Sequence, residues 1–320
     1  MNIEIKNISE NEYLSLVDFR IEEAINQLHD CPHLYEIAKY HFHNKGSRLM
    51  PKVGLQISKI FNTDLYISVS LATCIELFHN FTLIHDDIID EDELRRNRIS
   101  SWKEFGIPLA LVAGNSIKSL SYSLMSEVFN NTSLSQLKIK RAIHYYINYT
   151  HTVYEGECLD IIFENQNNIS IDEYINMIQK KSGSTLGCIC FLIAYMSTDK
   201  VELHKLCEDL GVTIGTCLQI INDLNSYVKS NNLCSDFTKR KKTLPLIYFL
   251  NKIPDLFEDS KIYEMINIKQ KMETFGVFEK VRKKAIEYQE KAIEILHDIK
   301  NNLNEDVTEF SYEITNNFHL

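Results

Sequence analysis

The run His85-Asp86-Asp87-Ile88-Ile89-Asp90 is where this sequence first offers chemistry. Asp86 and Asp90 stand four residues apart, so on a helix their carboxylates share one face. Two like charges side by side repel, and a helix C-terminus already carries partial negative charge. A cation must compensate. Oxygen-only ligands on a rigid face suit Mg2+, which keeps waters and bridges to phosphate oxygens. Arg95 and Arg96 follow closely, and guanidinium groups beside a metal-loaded carboxylate cluster match the needs of a diphosphate. Upstream, Phe78 and Phe81 lie on the apolar face. An apolar channel leading to a metal and arginine site implies a ligand with a long apolar tail and a phosphate head. The plain alternative is a solvated acidic helix end running into Glu91-Asp92-Glu93.

Such a cluster needs rigid elements to hold it, and the composition points to helices. In 320 residues there are only 10 Gly and 5 Pro, too few for the tight turns of a sandwich, barrel or propeller. Hydrophobic residues make up 44%, enough for a large core. Helical spacing runs through 65–90, 108–129, 135–156, 171–197 and about 201–229. Pro51 and Pro108 read as first-turn prolines. Val281, Ala285, Tyr288, Ala292, Ile295 and Ile299 step by three and four, the pattern of an amphipathic helix. Loops are expected near 91–106, 157–170 and 230–242. The expectation is all-α, one helical domain over 1–320.

Charge and cysteines narrow the classes. The balance 34 − 44 = −10 argues against a nucleic-acid binder. No basic stretch followed by an apolar one opens the chain at Met1–Leu14, so no secretory signal is expected. The longest apolar run, Leu186–Met196, is too short for a stable membrane span. The eight Cys show no CxxC pair, and Cys188 and Cys190 sit in an apolar helical stretch. Buried reduced thiols and a cytoplasmic setting are expected.

The run Glu76 through Arg96 resembles the first aspartate-rich region of the trans-isoprenyl diphosphate synthases, and further pieces follow in that family's order. They are Gly106-Ile107-Pro108-Leu109-Ala110 through Ala113-Gly114, then Glu155-Gly156-Glu157 and Lys181-Ser182-Gly183. The last runs from Asp236 through Lys241 to Thr243-Leu244-Pro245-Leu246. The resemblance covers roughly residues 40 to 250. It implies the isoprenoid synthase (class I terpenoid synthase) fold around a central cavity, a homodimer, and Mg2+-dependent ionisation of an allylic prenyl diphosphate. By carry-over, Asp86, Asp87 and Asp90 hold metal. Arg95, Lys181 and Lys241, with Arg96, hold diphosphate, and Asp86, Asp87, Asp90, Arg95 and Lys181 form the catalytic set. Phe81, five positions before the first Asp, caps the tail pocket with Thr82 beside it, which favours farnesyl or geranylgeranyl diphosphate. Phe78, Tyr154 and Phe191 are aromatic candidates for the same wall, with Gln219 from the second motif.

Three departures shape the functional expectation. The family holds isopentenyl diphosphate with Gly-Gly-Lys-x-x-Arg. Here Lys45-Gly46-Ser47-Arg48-Leu49-Met50 puts Ser47 at the Lys and Met50 at the second Arg. Each lost charge-assisted hydrogen bond is worth roughly 1.5–3 kcal/mol; His79 and Arg96 remain as partners for that diphosphate, and Lys45 or Arg48 is the available substitute. The second aspartate-rich motif has become Leu218-Gln219-Ile220-Ile221-Asn222-Asp223-Leu224-Asn225-Ser226, so only Asp223 keeps its acid. Asn222, Ser226 and Ser230, at i, i+4 and i+8, resemble the Asn-Ser-Glu metal triad of class I terpene cyclases, with Ser230 in the Glu position. Asn222, Asp223 and Ser226 are therefore taken as a second metal set. The leading expectation is a terpene synthase (a lyase) that turns an allylic diphosphate into a hydrocarbon or alcohol. The first alternative is a prenyltransferase, either elongating with isopentenyl diphosphate or using another acceptor. A non-catalytic partner subunit is the further alternative.

Overall fold

The computed structural model describes residues 4–130, 134–166, 168–229, 235–253, 268–303, 310–311 and 314. After a 3-10 turn at Ile5–Asn7 come α1 (Glu10–Asn26), α2 (Pro32–Phe42), α3 (Leu49–Phe61) and α4 (Leu65–Ile89). A hairpin of β1 (Leu94–Arg95) and β2 (Arg98–Ile99) follows, then α5 (Ser101–Phe105), α6 (Ile107–Asn130) and α7 (Gln136–Glu164). α8 (Ile171–Ile178) passes through a π-turn, Gln179–Gly183, into α9 (Ser184–Ser197) and then α10 (Val201–Val228). α11 (Ser235–Thr238), α12 (Leu244–Leu250), α13 (Ile268–Thr274) and α14 (Val277–Leu303) complete the described helices. The fold is all-α, as the scarcity of turn-formers requires.

The chain forms two compact units, one of residues up to Tyr146 with Cys188–His204, the other of Ile147–Gly187 with residues from Lys205 onward. In the first, α4 packs along α6 and is covered by α1 and α3. Asp64 caps α4 by accepting the Ile67 N–H at 3.1 Å. The helix buries every residue from Ser68 to Phe78. Such an all-round apolar helix belongs in a core. α4 is long and apolar enough to cross a membrane, but 78% of that window is buried inside the protein, so it is a core helix with the acidic motif at its end.

In the second unit, small residues let helices close up. Gly183 and Gly187 face Gly211 and Gly215, and a Cβ on Gly215 would lie 2.7 Å from the Gly183 Cα. α14 turns Val281, Ala285, Ala292 and Ile299 inward as its spacing announces, but Leu296 is buried where Ile295 was expected, and Tyr288 and Ile295 are half-buried.

All three expected loops carry structure, and the described part of 230–242 holds α11. Segment 91–106 carries the hairpin and α5, because Arg96 and Asn97 both adopt positive φ (53° and 61°) and close a two-residue turn. Within 157–170, α7 continues to Glu164, because the charges on Glu157 and Asp160 meet Lys181.

Candidate active site

The acidic motif ends α4 in the first unit. Asp86 and Asp90 are half-buried, and the Asp90 N–H donates to the Asp86 carbonyl at 2.7 Å. Asp87 is 1% exposed. Its Oδ1 accepts from Arg95 Nε at 2.8 Å and from a second Arg95 nitrogen. Its Oδ2 is buried and has no hydrogen-bond partner. Burial lifts the Asp87 carboxyl to about 6, against the pull of Arg95. Among the described residues no three His, Cys, Asp or Glu side chains form a protein-only metal cage. Mg2+ does not ask for one, since it takes one or two carboxylates and completes its shell with water and phosphate. The bare Oδ2 and the hard oxygen set fit that ion.

The hairpin delivers the arginines. Arg95 and Arg98 are directly paired across its two strands, which puts their side chains on one face. Arg96, at the turn, donates to the Asn44 carbonyl at 2.6 Å and to Asn80 Oδ1 at 3.4 Å. Its guanidinium lies against Gly46, where a Cβ would come 2.5 Å from Arg96 Cζ. Gly46 itself has φ +69°, a backbone conformation that favours glycine.

The proposed stand-ins for the missing cations are tied down. Arg48, 6% exposed, donates to Asp18 at 2.9 Å and to the buried Glu76 at 2.7 Å. It is a structural ion pair and no substitute ligand, because withdrawing it would strand a buried carboxylate. Lys45 pairs with Asp18 at 2.5 Å from the exposed side. Met50 is buried and Ser47 exposed.

Beneath the acids lies an aromatic wall. Phe78 and Phe81 are 5.5 Å apart, and Phe78 meets Tyr146 edge-on at 6.3 Å. Lys118 Nζ sits 4.9 Å from the Phe81 ring. Thr82 Oγ1 donates to the His79 carbonyl at 2.7 Å. Phe191 stacks on Tyr145 at 3.4 Å and on Tyr195 at 5.5 Å, in a second aromatic group.

In the second unit, Lys181 lies in the π-turn, a device often found at functional positions. Its Nζ is held by Glu157 at 2.7 Å and Asp160 at 2.8 Å. Gly156 presses on it, since a Cβ there would overlap the Lys181 backbone nitrogen. Ser182 donates to Gln219 at 2.9 Å, and Gln219 donates to Asp223 at 2.8 Å. Asp223, 6% exposed, also accepts from the Tyr174 hydroxyl at 2.7 Å and the Leu244 N–H at 3.3 Å. Burial raises its carboxyl to about 7. Three donors fill both oxygens, so Asp223 ties the π-turn, α8, α10 and α12 together. Gln219 is a link in this network. Asn222 is exposed, and Ser226 is half-buried with its hydroxyl donating to the Asp223 carbonyl at 2.9 Å. Lys241 is half-buried, its N–H on the Asp236 carbonyl at 2.8 Å, and Tyr154 is half-buried on α7. Ser230 lies outside the described residues.

Tyr174 and Asp160 escaped the sequence reading. Asp160 follows Glu157 by three residues, a signal that becomes readable only if α7 is extended past 156.

The polyprenyl synthetase family model matches residues 31–304. This chain belongs to that family. It is 30% identical over 236 residues to a geranylgeranyl pyrophosphate synthase of Geoglobus acetivorans, covering 72% of each. It is 26% identical over 284 residues to a geranylgeranyl diphosphate synthase of Saccharolobus solfataricus, covering 87% of this chain and 84% of the relative. The fold matches the crystal structure of a geranylgeranyl pyrophosphate synthetase from Pyrococcus horikoshii. The TM-score is 0.81 at 24% identity, with 95% of each chain covered.

Proposed function

We propose that this polyprenyl synthetase is a chain-elongating prenyltransferase. It joins an allylic prenyl diphosphate to isopentenyl diphosphate, releases diphosphate and returns a longer allylic diphosphate. This reverses the order of the two readings the motifs suggest. The observation that carries it is Arg96. It has no carboxylate partner among the described residues, while Arg95 beside it is matched to Asp87. Elongation needs cations for two diphosphates, whereas ionisation of one substrate alone needs them for one. The named relatives, geranylgeranyl and farnesyl diphosphate synthases among them, support the same reading.

Asp86, Asp87 and Asp90 are the groups that would hold Mg2+, which when bound neutralises the departing diphosphate. Arg95 fixes the Asp87 carboxylate and presents its remaining donors to the allylic diphosphate. The resemblance assigns Lys181 and Lys241 to diphosphate binding as well. Phe78, Phe81 and Tyr146 exclude water from the allylic chain, so the carbon–oxygen bond breaks where the new carbon–carbon bond can form. The acceptor then loses one proton. Phe81 and Thr82 favour a short tail, farnesyl or geranylgeranyl in length.

A terpene synthase is the second reading, favoured by exposed Ser47 and buried Met50 at the family's cation positions. One experiment separates the two. Geranyl, farnesyl and geranylgeranyl diphosphates are each incubated with Mg2+, with and without isopentenyl diphosphate. Longer diphosphates formed only with isopentenyl diphosphate, and lost at least 100-fold in Asp86→Ala, are expected. Hydrocarbon or alcohol from an allylic substrate alone would overturn elongation in favour of the terpene reading. Binding without turnover would point to a partner subunit.

A further inference from the structure

The hairpin carries a charge that its surroundings leave unmatched. Arg95 and Arg98 sit opposite each other on one face, an arrangement that costs energy unless anions intervene. Asp87 answers Arg95. Arg98 has no carboxylate partner among the described residues; it lies flat on Tyr40, 3.6 Å from the ring centroid, and reaches the Tyr40 carbonyl at 3.5 Å. Arg96 donates hydrogen bonds to neutral groups only, with the Glu76 and Asp87 carboxylates acting on it through space. These arginines, with His41, Asn44 and Ser100, line one small open pocket. Ser100 is 1% exposed, and its Oγ has no hydrogen-bond partner. A buried bare hydroxyl costs free energy until a ligand or water meets it. Two arginines with no directly hydrogen-bonded carboxylate and one bare hydroxyl make a receptor for a phosphoryl oxygen.

We propose that Arg98 and Ser100, beside Arg96, form the phosphoryl-binding pocket for the second diphosphate and replace the cations absent at Ser47 and Met50. The segment before Ser47 is already wound around Arg96, since Asn44 accepts from its guanidinium and donates to its carbonyl at 3.1 Å. The charge has therefore moved from the turn before α3 to the hairpin facing it. The inference rests on the elongation reading and adds a residue to it.

The test is the split between Michaelis constants. Arg98→Gln should raise KM for isopentenyl diphosphate at least tenfold, with kcat and the allylic KM moved less than twofold. Arg98→Lys should recover part of that loss, and adding Ser47→Lys to Arg98→Gln should recover most of it. An unchanged isopentenyl diphosphate KM, or equal shifts in both constants, overturns the proposal and leaves elongation standing. Should Arg98→Gln misfold by circular dichroism, Ser100→Ala reads the same split without disturbing the Tyr40 stack. If the wild type consumes no isopentenyl diphosphate, the elongation reading falls by itself. Calorimetric titration with inorganic phosphate and inorganic diphosphate in EDTA then decides the pocket. Tenfold weaker binding in Arg98→Gln upholds it as a free-anion site, and equal binding ends it.

Discussion

Arg48 shows how a side chain of the right charge can be structural. It joins Asp18 and Glu76 at 2.9 and 2.7 Å with 5% of its side chain exposed. Cutting a buried pair on one side costs about 3–5 kcal/mol, because the other charge stays behind. Arg48→Met should therefore lower unfolding free energy by about 3 kcal/mol in urea titrations, with both substrate KM values within twofold in the folded protein. A tenfold rise in isopentenyl diphosphate KM would make Arg48 a ligand after all. His41 gives a pH signature. It is 7% exposed, and burial with Arg96 nearby pushes its pKa down to about 3. The unfolded chain binds that proton near pH 6.5. Between those values the unfolded state holds more protons, so stability is full above pH 6.5 and falls as pH drops toward 3. His41→Gln should flatten that part of the stability–pH curve by one proton. The residue types at 86, 87, 90, 95 and 96 were legible from spacing alone. The occupants of the Arg48 hydrogen bonds were not, because Asp18 and Glu76 lie far from Arg48 in sequence.

At the scale of elements, helices carried by apolar periodicity were read to within a few residues, α4 and α6 among them. What periodicity could not show was local departure from it. The π-turn at Gln179–Gly183 adds a residue to a helical turn without changing hydrophobicity, so 171–197 reads as one helix. The hairpin turn, Arg96-Asn97, lacks the glycine that usually announces a positive-φ pair. The π-turn and α7 meet at Gly156, where any side chain would overlap the Lys181 backbone. Gly156→Ala should therefore move Lys181 off Glu157 and Asp160. We expect a loss of about 1–3 kcal/mol from overpacking, with turnover falling more than tenfold at temperatures where the variant is still folded. Normal turnover in a folded Gly156→Ala would show that Lys181 needs no such support.

For the whole molecule, the composition implied a cysteine pattern that native thiol chemistry can read. Seven of the described cysteines are in no disulfide, with Cys74, Cys188, Cys190, Cys207 and Cys217 buried and Cys31 and Cys158 exposed. Only the thiolate reacts, and burial acts against it twice, by blocking access and by raising the pKa. Burial pushes Cys74 up to about 11 and Cys217 up to about 12. Cys74 and Cys217 also donate to the Ser121 and Ala285 carbonyls at 3.1 and 3.3 Å, which holds both thiols in the core. In neutral buffer a disulfide-exchange reagent should label Cys31 and Cys158 within minutes. Cys74, Cys188, Cys190, Cys207 and Cys217 should react only at the rate of unfolding, rising together with loss of the circular-dichroism signal in urea. Peptide mapping of the labelled protein assigns each thiol. Fast native labelling of Cys74 would mean that the α4–α6 contact beside the acidic motif opens without global unfolding. The wall formed by Phe78, Phe81 and Tyr146 could then not keep water from an ionising substrate.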